Sequence, residues 1–303
     1  MKDPRIELQL RQRFVKDHGL PITVFESPYF DYFLDLYRAK PKWDRLEKEI
    51  EERFEGNPGK WLDHYFKLRN TIIEDLERSE QYQAFNNDPT LLDRFKTSGQ
   101  IDRDVYSGSN VGKRFLSLDL KKANFQALYY VIPEIFKGAK TYEEFIGLYD
   151  ESKIFQESKY TRQVIFGKLN PKRQITVEKW LISEIERTLN LDLPLYSKRS
   201  DELIWEGELG GDRDLVKEVK DGLGLDVKVE QFELEMIQKF TVDGRSVLGF
   251  VKNYPDKPST LHGVKSIYYP QIYKAWKGME LNEKMDLVFM YEEQLAHFDY
   301  SLV

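Results

Sequence analysis

The sequence predicts an α+β fold in which a split β-α-β sheet with covering helices follows a mainly helical amino-terminal region. Three observations carry this prediction. Apolar residues recur at helical spacing through roughly the first hundred residues. A short apolar run that ends on an acid, FLSLD (115–119), then breaks that texture. Further on, two alternating stretches flank a helical one, completing the order strand, helix, hairpin, helix, strand.

Taken in chain order, DRLEKEIEERFE (44–55) and KWLDHYFKLRNTIIEDLERSEQYQAF (60–85) read as helices, separated by the breaker Gly56-Asn57-Pro58-Gly59. The second sets Trp61, Tyr65, Leu68, Ile72, Ile73 and Leu76 on a core-facing stripe. A loop is expected around 104–113. FLSLD reads as a buried strand, and KKANFQALYYVIPEIF (121–136) as a helix that Pro133 bends or restarts. SKYTRQVIFGK (158–168) is a basic helix, and RQITVEKWLISEIERTLN (173–190) an amphipathic one with Val177, Leu181, Ile185 and Leu189 on one side. SDELIWEGE (200–208) alternates as a strand, RDLVKEVKDGLG (213–224) is a helix closed by glycine, and DVKVEQFELEMI (226–237) alternates again. The organisation read from this is a helical region over 1–105, a sheet unit over 106–240 with a basic helical insertion at about 150–192, and an aromatic-basic region over 241–303.

Composition bounds the chemistry. With 303 residues, 41% hydrophobic and 14% aromatic, the chain can bury a large core, and a single globular unit with subdomains is expected. No apolar run is long enough to cross a bilayer, and the start, MKDPRIELQLRQRF, lacks a signal peptide's apolar block. A cytoplasmic protein with no membrane partner is expected, in the host cytoplasm if the chain is phage-encoded. The absence of cysteine excludes disulfides, thiolate zinc sites and a cysteine nucleophile, and four scattered histidines make a poor imidazole cluster. Metal chemistry here falls to carboxylates, which suits Mg²⁺ or Mn²⁺.

The net charge of -6 argues against a chain that coats nucleic acid with its whole surface. Local charge differs. Residues 158–173 hold Lys159, Arg162, Lys168, Lys172 and Arg173 without an acid, and residues 245–278 hold Arg245, Lys252, Lys257, Lys265, Lys274 and Lys277 against Asp256 alone. Either stretch could be an ordinary solvated face; beside acidic centres, both suit an enzyme that handles a polyanion. Phe250, Tyr254, Tyr268, Tyr269, Tyr273 and Trp276 interleave with the second stretch and could grip a nucleic-acid strand or belong to the core.

Three segments carry candidate chemistry. Asp119 ends a buried strand where a helix begins at once. Lys159, Arg162 and Phe166 share or adjoin one face of the basic helix, where cations could hold triphosphate oxygens and a ring could stack on a base. Asp201 and Glu202 sit at a tight hairpin. Asp119 and Asp201 could hold two hard cations that activate a 3′-oxygen and stabilise a leaving pyrophosphate.

In this order the segments resemble the motifs of family A DNA polymerases, and more distantly those of single-subunit phage-type RNA polymerases. Ser117-Leu118-Asp119-Leu120-Lys121-Lys122-Ala123-Asn124-Phe125 is similar to Ser-x-Asp-Tyr-Ser-Gln-Ile-Glu-Leu. Arg162-Gln163-Val164-Ile165-Phe166-Gly167 is similar to Lys-x-x-Asn-Phe-Gly, and Ser200-Asp201-Glu202-Leu203-Ile204-Trp205-Glu206 to His-Asp-Glu-Leu-Val-Phe-Glu. The resemblance covers roughly residues 111–237. It implies a polymerase palm with reduced fingers, a carboxy-terminal thumb or clamp, and nucleotide addition to a 3′-end with two Mg²⁺ or Mn²⁺ ions on Asp119 and Asp201, aided by Glu202. It further implies nucleotide contacts from Lys159, Arg162, Phe166 and Asn124. For the template and primer, the basic stretches offer Lys172, Arg173, Lys252 and Lys265.

The departures limit the transfer. Asn124 replaces the family's sugar-selecting Glu, Asn170 stands where a Tyr follows the second motif, and Ser200 replaces the His before the catalytic acid. Sugar preference and template handling therefore do not follow from the resemblance. Primer synthesis or terminal nucleotide addition on the same palm, and a non-catalytic nucleic-acid-binding replisome protein, stay open beside templated polymerisation.

Overall fold

The computed structural model describes residues 3–97, 99–242, 245–291, 294–297 and 301–302, with the backbone alone at 238–242, 245–247, 289, 291, 297, 301 and 302. The side chain of Arg245 lies outside the described residues. The amino-terminal region forms helices α1 (Pro4–His18), α2 (Tyr29–Leu36), α3 (Lys40–Phe54), α4 (Pro58–Arg78), α5 (Glu80–Asn87) and α6 (Leu91–Arg94). Local chemistry sets their ends. Asn57 caps α4 by accepting the Gly59 and Lys60 N–H groups with Pro58 in the first turn. The single helix expected over 60–85 divides at Ser79, whose backbone is extended. Its hydroxyl donates to the Leu76 carbonyl (2.8 Å) and accepts from the Tyr82 N–H (3.2 Å), so one side chain satisfies the end of α4 and the start of α5.

The rest is an α+β assembly: β1 (Arg114–Leu120), α7 (Ala123–Val131), α8 (Tyr142–Gly147), α9 (Lys153–Glu157), α10 (Lys159–Gly167), α11 (Pro171–Leu189), β2 (Leu195–Lys198), β3 (Glu202–Glu206), α12 (Leu215–Leu223), β4 (Val227–Val242), β5 (Arg245–Asn253), β6 (Thr260–His262), α13 (Tyr269–Lys277), β7 (Val288–Tyr291), β8 (Gln294–His297) and β9 (Ser301–Leu302). As Pro133 requires, α7 stops at Val131 and a 3-10 turn, Pro133–Phe136, follows. The main sheet is antiparallel in the order β2-β3-β1-β4-β5-β6, with β9 added to β4, and β7 and β8 form a separate ribbon.

Alternation gives β1 two faces. Leu116, Leu118 and Leu120, with Leu203, Trp205 and Val227 of its neighbours, join a core shared with the helices, including Leu181 and Ile185 of α11, Leu128 of α7 and Val219 of α12. Phe115, with Ile204, Phe232, Leu234 and Phe250, forms a smaller cluster on the other face, beside Val105 and Tyr106. The helical core runs without interruption from Leu10 of α1 to the sheet, so residues 1–105 have no separate core of their own. The boundary expected at 240/241 falls inside β4, and β5 and β6 extend the same sheet. Among the described residues, no helix is long and apolar enough to cross a membrane.

Candidate active site

The site forms where β1 runs out beside the β2–β3 hairpin. In the β1–β3 ladder Asp119 lies opposite Glu202, and in the β1–β4 ladder it lies opposite Lys228. Directly opposed residues share a face with their Cβ atoms about 5 Å apart, so Asp119, Glu202 and Lys228 project together from the face opposite the helices. The hairpin turn is closed by the Arg199 N–H donating to the Glu202 carbonyl (2.9 Å), with Ser200 and Asp201 at its tip. The Asp201 carbonyl accepts the Leu120 N–H (2.8 Å), which pins the tip against the end of β1. The strand-to-helix turn is fixed in the same way: Gln126 exchanges two hydrogen bonds with the Asp226 backbone, each 2.7 Å.

Charge in this corner is only partly compensated, by cations that act from beyond ion-pair distance. Among the described residues, Asp119, Asp201 and Glu202 make no ion pair. The nearby Lys228 is paired with Glu230 (2.8 Å), which also takes Lys257 and whose carboxyl is held at about 2 by these partners against the cost of its burial. Burial, and next the Asp201 carboxylate, push the Asp119 acid above its ordinary range, with Lys228 and Lys159 opposing. Burial also raises Glu202, with Asp119 and Asp201 adding to it and Lys252 and Arg199 opposing. No three His, Asp or Glu side chains among the described residues converge into a complete metal cage. The donor chemistry nevertheless fits Mg²⁺ or Mn²⁺, which often bind through one or two carboxylates and take further ligands from water and substrate phosphates. A divalent cation would remove the repulsion that raises Asp119.

The other expected contacts divide. From α10, exposed Lys159 and half-buried Arg162 both act electrostatically on Asp119, and Arg162 also faces Glu143 with its guanidinium 5.7 Å from the Tyr142 ring centre. Burial lowers the Arg162 pKa, and its Nε has no hydrogen-bond partner among the described residues. Asn124 is half-buried in the first turn of α7, its Oδ1 accepting the Phe125 N–H (2.9 Å). Phe166 requires a correction. Its ring is 0% exposed and packs against Phe125, Phe136 and Tyr142, so it belongs to the core and cannot stack on a base in this arrangement. Arg173 is likewise committed, donating to the Phe85 (3.0 Å) and Asp88 (2.8 Å) carbonyls and tying α11 to α5. Lys252 is 5% exposed, with its ammonium 4.2 Å from the Phe232 ring centre, so it is not a surface phosphate contact. Lys172 and Lys265 are exposed. In α13, Tyr269 and Tyr273 pack on Tyr37, the residue that caps the end of α2, both at 5.6 Å, and so serve the fold.

Two features escaped the sequence reading. A pocket of about 330 Å³ opens beside the β1–α7 turn, with Lys121, Lys122, Lys140 and Lys220 around it. Lys122 pairs with Glu143 and Lys220 with Asp226, whereas Lys121 and Lys140 have no ion pair among the described residues. The second is Glu178, an acid inside the apolar stripe of α11. Burial, then the Asp201 charge, raises its carboxyl to about 7. Its place beside Val177, Leu181 and Ile182 on that stripe was a readable signal.

Glu178 yields a pH-dependent prediction. An acid that ionises near 4.5 when unfolded and at about 7 when folded costs stability as pH rises through that window. Glu178→Gln therefore stabilises the protein near pH 8 by up to about 3 kcal/mol, and the gain vanishes near pH 4. Urea unfolding at the two pH values checks this; a gain of equal size at both contradicts it.

Compared with models of protein families, with curated proteins and with solved structures, the chain matches none.

Proposed function

We propose that the chain is a metal-dependent nucleotidyltransferase that adds nucleotides to a 3′-end on a polymerase-type palm. The observation that carries this reading is the group Asp119, Asp201 and Glu202, without an ion pair among the described residues and held at one strand-hairpin junction with Lys159 and Arg162 within electrostatic range. Asp119 and Asp201 would hold Mg²⁺ or Mn²⁺. When bound, these ions supply Lewis acidity toward the attacking 3′-oxygen and the departing pyrophosphate. Lys159 and Arg162 would take phosphate oxygens of the triphosphate, with Arg162 suited to a two-pronged contact. Glu202, across from Asp119, would add negative charge beside the metals.

The burial of Phe166 favours a second reading on the same site, primer synthesis or terminal addition, because a templated enzyme loses the stacking ring that the resemblance implies. Incorporation of labelled nucleotides with Mg²⁺ or Mn²⁺, crossing DNA and RNA templates with each nucleotide type, with and without a primer, separates them. Complementary products only from a primer indicate templated extension, complementary products without one indicate primer synthesis, and products independent of template sequence indicate terminal addition. No incorporation under any combination would overturn the proposal and leave a nucleic-acid-binding role.

Arg162 provides a graded check. Loss of one charged contact to phosphate is worth roughly 1.5–3 kcal/mol. Arg162→Ala accordingly raises the KM for the nucleotide by about tenfold or more, with a smaller loss in kcat. An unchanged KM removes Arg162 from the substrate contacts.

A further inference from the structure

Helices α1, α4 and α10 enclose a groove of about 260 Å³ remote in sequence from the acidic corner, with no acidic side chain in its lining. At its base Arg13, 5% exposed, lies 3.6 Å from the Tyr65 ring centre and 4.6 Å from that of Tyr160. Its Nε pairs with Asp17 (2.7 Å) and its Nη2 donates to Thr161 (2.6 Å), while its Nη1 is buried without a hydrogen-bond partner among the described residues. Two more cations flank the rings. The Lys16 ammonium is 5.5 Å from Tyr160, and the Arg69 guanidinium 5.2 Å from Phe66, whose ring is 41% exposed. Among the described residues neither Lys16 nor Arg69 makes an ion pair; Arg69 bonds only to Asn70.

With Arg13 neutralised by Asp17, Lys16 and Arg69 leave the groove positively charged with no acid in its lining, which selects for an anion, and the rings beside them offer stacking surface. The volume is below the roughly 300–1,000 Å³ of sites that enclose a small ligand, which suits a chain lying across the groove. Phosphates held by cations and bases stacked on rings are the means by which single strands are bound without sequence preference. A duplex, with its bases paired and stacked inside, would leave the rings unused. We propose that this groove binds single-stranded nucleic acid, with Lys16 and Arg69 on its phosphates and Phe66 and Tyr160 against its bases. Helix α10 links the two sites: Tyr160 lines the groove while Lys159 and Arg162 act electrostatically on Asp119.

The test needs no catalysis, so it stands whether or not nucleotides are transferred. Anisotropy of a fluorescein-labelled oligothymidylate is titrated with the full chain in EDTA over a range of salt. The parent binds. Combined Lys16→Gln and Arg69→Gln weakens binding about tenfold and flattens the log-log salt slope by about 1.4, two single-strand phosphate contacts at roughly 0.7 each. Phe66→Ala weakens binding about tenfold without changing that slope, since it removes stacking and no charge. All three positions are exposed or half-buried, so the variants keep the fold. No binding by the parent, or parental affinity and slope in both variants, would overturn the groove assignment.

Discussion

Asp119→Asn and Asp201→Asn each lower nucleotide incorporation by about a thousandfold or more, with the fold intact. The magnitude follows from the chemistry assigned to the pair: charge stabilisation by bound metal is worth several kcal/mol, and about 4 kcal/mol is a thousandfold in rate. Asparagine keeps the shape of either side chain and removes the charge that holds the cation. The stability change runs the other way and makes the test specific. Burial and Asp201 raise the Asp119 acid, so its ionisation costs the folded state as pH rises through that raised value. Asp119→Asn removes this cost, and without metal its Tm exceeds the parent's near pH 8 but not near pH 4. Lost activity together with gained stability is what a functional, electrostatically unfavourable cluster gives. A merely structural acid would lose both.

Phe166→Ala has the largest expected effect on stability, about 3–5 kcal/mol from the lost burial and the cavity it leaves. The ring is fully enclosed by Phe125, Phe136 and Tyr142, and its helix also packs against α1, α4 and α7, so the surroundings have little freedom to collapse. Phe166→Leu retains most of the volume and costs much less. Urea unfolding of the two variants, with incorporation measured on the leucine form, decides the role. Full stability in Phe166→Ala with a raised nucleotide KM would restore Phe166 as a base-stacking residue.

Where the sequence was informative, one short local pattern was enough. FLSLD and SDELIWE are short apolar runs bounded by acids, and those bounds put Asp119 and the Asp201-Glu202 hairpin at strand ends, where the β1–β3 pairing brings them together. The stripe Val177, Leu181, Ile185 and Leu189 similarly fixed the buried side of α11. Phe166 shows the limit. Four residues after Arg162, it lies on the cationic side of α10, yet it also adjoins Ile165 on the apolar side. Its partners at 125, 136 and 142 settle the choice, and no local pattern points to them. The same holds for Arg173, whose acceptors are the Phe85 and Asp88 carbonyls, and for Lys252, which lies over Phe232 of the neighbouring strand. The position of a basic residue along the chain does not reveal that long-range packing engages it, as it does these two. Glu202 is the opposite case. A neighbouring carboxylate on a strand can point away from its predecessor, and here the register sets Glu202 directly across from Asp119.

If Asp119 and Asp201 form the proposed divalent-metal centre, cation binding needs both. Titration of Mn²⁺ into the protein with a non-hydrolysable nucleoside triphosphate, followed by the loss of the free-ion electron paramagnetic resonance signal, reads this out. The parent is expected to bind Mn²⁺ tightly and Asp119→Asn and Asp201→Asn each to weaken binding by tenfold or more, while a surface change such as Lys265→Gln leaves it intact. Equal Mn²⁺ binding by the parent and both aspartate variants would contradict the proposed centre.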